Sequence, residues 1–139
     1  MTRRMALLVP FAVGCCRAAD PAREVLDLIT DAAAALSAGD AAAFLKAFDP
    51  AMPGYAKLRE NVTGLLAQGE VQSIIDPEED EGDGNRRVEQ LLWTLVMMRG
   101  QETSNSVRRE QAVKCRVEKQ RGGWRIVELD PIGFFAPRS

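Results

Sequence analysis

The chain reads as an α+β domain, with three N-terminal helices gathered on one face of an antiparallel sheet. One change of rhythm and one turn predict this. Apolar residues recur at helical spacing up to about residue 67. From residue 70 they alternate or run in short blocks, as strands do. Gly122-Gly123 then marks a tight hairpin between two further strand-like segments.

Asp20-Pro21 opens the first helix, since Asp accepts from free N–H groups and Pro suits the first helical position. Val25, Leu28, Ile29, Ala32 and Leu36 form its apolar stripe, and Ser37-Ala38-Gly39 ends it. Asp40 caps a second, shorter helix carrying Phe44, Leu45 and Phe48, which Asp49-Pro50 stops. A third helix runs over residues 55–67 with Leu58, Val62, Leu65 and Leu66 inward and one oddity, Gly64.

Residues 70–76 (EVQSIID) read as a strand, and residues 76–85 (DPEEDEGDGN) as an acidic, solvated loop. Residues 87–98 (RVEQLLWTLVMM) form a long strand, apolar on both faces at its centre, and residues 101–105 a polar turn. Residues 107–119 alternate, with Arg109, Gln111, Val113, Cys115 and Val117 on one face and charged Lys114, Arg116 and Glu118 on the other. Residues 124–129 (WRIVEL) close a four-stranded meander with one wet face.

The first 19 residues stand apart. Thr2-Arg3-Arg4 is basic, residues 5–16 (MALLVPFAVGCC) are almost wholly apolar, and Ala18 and Ala19 are small. That order predicts a secretory signal peptide over residues 1–19, leaving one domain over 20–139 in the periplasm or outside the cell. Two alternatives remain: lipid attachment at Cys15, within Ala12-Val13-Gly14-Cys15, or an apolar helix that is retained. No apolar run is long enough to span a membrane.

Composition excludes whole classes of chemistry. The sequence contains no histidine, so Ser-His-Asp and Cys-His catalysis within the chain is ruled out, as are the commonest zinc sites. Of three cysteines only Cys115 lies beyond the leader, so no internal disulfide is expected there. A net charge of -2 offers no basic excess for nucleic acid. The acidic stretch fails as an EF-hand, because a frame starting at Glu79 puts Gln90 where a bidentate Glu belongs. No cofactor or metal is expected.

Residues 36–48 (LSAGDAAAFLKAF), the two long strands after the third helix and the closing Gly122-Gly123-Trp124-Arg125-Ile126-Val127 resemble the nuclear-transport-factor-2-like superfamily. The likeness spans residues 22–130 or so, by element order. It implies a bent sheet wrapped around helices (a cystatin-like cone) with a cavity between them. A short strand usual in that family between the second and third helices is missing. The family holds isomerases, cyclases, dehydratases and binding modules, so the fold alone does not choose among them.

If Trp124 and Ile126 point inward as that resemblance implies, alternation carries Glu128, and then Asp130, to the same face. A buried carboxyl there has a raised pKa and is a candidate proton-transfer base, or else an ion-pair partner of Arg109. Tyr55 is a candidate oxyanion donor, or an amphipathic cap on the core. Trp93 and Gln111 are candidate pocket walls, Trp93 equally a core residue, and Cys115 reads as small core. The expected function is binding of a small hydrophobic ligand, or pairing with a second copy through the sheet, without catalysis. The alternative is an acid/base enzyme acting on a small hydrophobic carbonyl compound through Glu128 or Asp130.

Overall fold

The capping signals place the first two helices where the chain makes them, and the third also falls where its apolar spacing puts it. The computed structural model describes residues 20–99 and 102–138; the leader and the Cys15 site lie outside them. Helix α1 spans Pro21–Ser37, with the Asp20 side chain accepting from the Ala22 amide. Helix α2 spans Ala41–Leu45, capped likewise by Asp40 onto the Ala43 amide, and α3 spans Tyr55–Ala67. Gly39 adopts a left-handed φ of 74°, which lets the chain turn at the end of α1 and bond the Asp40 amide to the Ala35 carbonyl. Gly64 faces Pro137, and a Cβ there would collide with the proline ring. The glycine in α3 is thus a docking point for the C-terminal segment.

Four strands follow in a meander: β1 Val71–Gly82, β2 Arg86–Arg99, β3 Glu102–Gln120 and β4 Gly123–Asp130, hydrogen-bonded in that order and antiparallel throughout. The expected α+β cone is the observed fold.

Three details differ from the sequence expectation. The acidic stretch is not a loop, for β1 continues through it to Gly82. Its charges are met across the strand pair: Gln90 donates to Glu79 at 3.1 Å, and Arg87 grips both oxygens of Asp80 at 3.0 and 2.9 Å. Pro77, which has no N–H to give, sits at a register shift. The turn itself is only Asp83-Gly84-Asn85, with Asp83 accepting from the Asn85 and Arg86 amides. Second, pairing resumes at Glu102, opposite Arg99, so most of the predicted 101–105 turn is strand. Third, the missing short strand survives as a single residue. Phe48 forms a parallel bridge to Ile126, with Asp49 N bonded to Ile126 O at 2.9 Å and Ile126 N to Ala47 O at 2.8 Å.

The space between sheet and helices is filled by the chain's own side chains. After β4 a 3-10 turn, Ile132–Phe135, drives Phe134 and Phe135 inward. Phe135 is fully buried, edge-on to Trp93 at 5.1 Å and tilted against Phe44 at 5.6 Å. The segment is held from several sides. Arg109 donates to the Phe134 and Ala136 carbonyls at 2.6 and 2.8 Å. Gln68 exchanges two bonds with the Arg138 backbone, and the buried Asn61 donates to the Ile132 carbonyl.

Candidate functional site

The concave face of β2 is set by a run at period two: Glu89, Leu91, Trp93, Leu95 and Met97, every one of them buried. Glu89 is the member that does not belong to an apolar core. It is 2% exposed and lies opposite Asp80 on β1 and Cys115 on β3. Burial pushes its carboxyl up to about 8, and its hydrogen bond to the facing Asp80 and the charge there push the same way. Arg87 opposes this from 3.9 Å. Asp80 goes the other way, held below the usual carboxylate range by its bonds from Arg87 and then from Glu89. Two carboxyls and one arginine thus divide the labour: Asp80 ionised, Glu89 protonated near neutral pH. One Glu89 oxygen, Oε2, is buried without a hydrogen-bond partner. Cys115 beside it is an inert thiol, pushed up to about 12 by burial and then by Glu89.

This acid escaped the sequence reading, which looked to Glu128. The expected inward Glu128, paired with Arg109, is not what the chain builds. Trp124 and Ile126 do point inward, but the register with β3 then skips Val127. That bulge turns Glu128 outward, where it pairs with Arg116 at 3.3 Å and both side chains stay half exposed. Asp130 is exposed as well, and the two acids line a shallow external concavity of about 360 Å³ with Lys114 and Arg116. Arg109 is spent on the C-terminal carbonyls, and Gln111 is solvent-exposed. Trp93 is wholly buried and donates from its ring N–H to Ser73 Oγ at 2.8 Å. Tyr55 is half-buried at the start of α3. It lines a groove of about 430 Å³ with Ala42, Leu45, Lys46, Phe48, Pro50 and Arg125. The candidates therefore do not converge; they lie in the core, at the C-terminal clamp and on two outer surfaces.

Among the described residues no cluster of acids and cysteine is arranged to hold a metal, and no helix is long and apolar enough to cross a membrane.

No family model matches the sequence, and no curated protein matches it significantly. Solved structures do. A nuclear-transport-factor-2-like superfamily protein from Salmonella enterica superposes with a TM-score of 0.66 at 17% identity, over 77% of this chain and 86% of that one. A nuclear-transport-factor-2-like protein with a cystatin-like fold from Novosphingobium aromaticivorans gives 0.63 at 16% identity, over 78% and 79%. A candidate scytalone dehydratase from the same species gives 0.64 at 10% identity, over 77% and 79%. At such identities the likeness speaks to architecture, and it agrees with the element order and strand register: the chain has the nuclear-transport-factor-2-like, cystatin-like α+β cone fold.

Proposed function

We propose that this chain is an exported, non-catalytic cone-fold domain that pairs with a second copy of itself across the outer face of its sheet. The observation that carries the non-catalytic reading is the filled interior. Phe135 and Phe134 occupy the space between sheet and helices, and Glu89 is itself only 2% exposed. A substrate has nowhere to meet that acid.

The outer face supports pairing. Ile74 stands 54% exposed near the start of β1, opposite Thr94 of β2. Leu92 and Val96, on the same face of β2, are only half-buried. A patch of this kind on the outer face of a sheet suits a two-fold contact, in which each copy covers the other's Ile74. Sedimentation equilibrium should find a dimer, and Ile74→Glu should shift it to monomer without altering the circular dichroism. A wild-type chain that stays monomeric up to its solubility limit would end this reading. Export rests on the basic, apolar and small-residue order of the leader. Intact mass of protein from its native host should show a chain lacking the whole leader of residues 1–19 or so, and an unprocessed, lipid-free chain would refute export.

One observation favours a second reading, an acid/base enzyme acting on a small hydrophobic carbonyl compound. Glu89 is a carboxyl held protonated near neutral pH, as a general acid needs to be. Under that reading Glu89 replaces Glu128 and Asp130 as the working group, and the C-terminal turn has to move to admit a substrate.

A further inference from the structure

We propose that the groove between α2 and β4 binds a small apolar carboxylate, such as an aromatic acid. Its apolar lining comes from Ala42 and Leu45 of α2 with Phe48 and Pro50. Lys46 and Arg125 also line it, and Tyr55 adds a phenol. The volume of about 430 Å³ lies within the range that small-molecule sites occupy.

Charge complementarity names the occupant. Among the described residues neither Lys46 nor Arg125 forms an ion pair. The acid nearest in influence is Asp49, and its oxygens are already engaged, accepting from the Ala51 amide and from Gln120 Nε2, both at 2.8 Å. Arg125 touches Asp49 only through the longer-range field. Two positive side chains therefore share an apolar lining with one engaged negative charge nearby. Arg125 already donates to the Trp124 carbonyl at 3.4 Å, yet a neutral ligand leaves both positive charges without a counter-charge, and a bare inorganic anion gains nothing from the apolar lining. A ring bearing a carboxylate uses both.

The parts are held in fixed relation. The Phe48–Ile126 bridge ties this lining to the edge of β4, one residue from Arg125. The site lies outside the cone, so it needs no movement of Phe134 or Phe135. It is also independent of pairing through Ile74, which sits on a different strand at the far edge of the sheet.

Amide NMR titration of the chain with naphthoate, beside the neutral naphthalenemethanol, tests this. Naphthoate should give saturable shifts at Ala42, Lys46, Tyr55 and Arg125. Lys46→Met with Arg125→Met should weaken it roughly tenfold or more, while the neutral analogue should bind little better to wild type than to that variant. The Ile74→Glu variant should bind naphthoate as wild type does, so failed pairing and a failed site are told apart. Shifts centred elsewhere, equal binding of the neutral analogue, or affinity unmoved by removing both cations would each overturn the proposal.

Discussion

Phe135→Ala should destabilise the domain by roughly 3–5 kcal/mol, the cost of emptying a large aromatic site whose walls relax only in part. The walls here are stiff. Trp93 meets the ring edge-on and is tied by its own hydrogen bond to Ser73, while Phe44 and Phe134 close two further sides at 5.6 and 5.0 Å. Phe135 also stands one residue from each carbonyl that Arg109 holds, so a loosened ring loosens the clamp. Urea unfolding of wild type and variant measures this. A loss below about 1 kcal/mol would mean that the turn is a loosely seated lid rather than part of the core.

The second large effect is a dependence of stability on pH, and its sign follows from Glu89. Its pKa is raised from 4.5 to about 8 in the folded chain. Between those values the folded chain holds a proton that the unfolded chain has released. Stability therefore falls as pH rises, by roughly 1.4 kcal/mol per unit across the middle of the window. The contribution is complete below 4.5 and lost above about 8. Asp80 runs in the opposite direction, but its lowered pKa confines its effect to acid conditions. Cys115 enters only above 9.0. Glu89→Gln keeps a neutral donor toward Asp80 and has no proton to lose. Its stability should be nearly flat from about pH 5 to 8, exceeding wild type at the alkaline end. Parallel curves for the two proteins would show that Glu89 does not titrate in this window.

Much of this fold was legible in residues that act locally. Asp20 and Asp40 announced their helices because a cap needs only a side-chain oxygen and the next turn's amides. The inward face of β3 was legible because Val113, Cys115 and Val117 alternate with charges. Reading failed where the deciding partner lies on another strand. The acidic stretch looked like a loop because its charges find Arg87 and Gln90 only once β2 is laid beside it. Glu128 was misplaced because a one-residue bulge flips a strand's faces, and nothing in the residues 124–129 announces one. Glu89 had a signal that was there to be used: it lies two residues before Leu91 and four before Trp93, on the buried face of its strand. The two-sided apolar centre of β2 hid which face that was. Gly64 and the lone bridge at Phe48 depend on contacts with residues 137 and 126, too distant in sequence to read.

Under the proposed reading Glu89, the one buried acid among the described residues, is closed off inside the protein rather than poised for a substrate. Carboxyl-carbon NMR of Glu89, followed across pH with and without a small hydrophobic ketone, tests it most directly. The expected curve has its midpoint near 8 and does not move when the ketone is added. A midpoint near the ordinary 4.5 would contradict the buried environment. A saturable, ketone-dependent shift of the curve would contradict the closed interior and favour the enzyme.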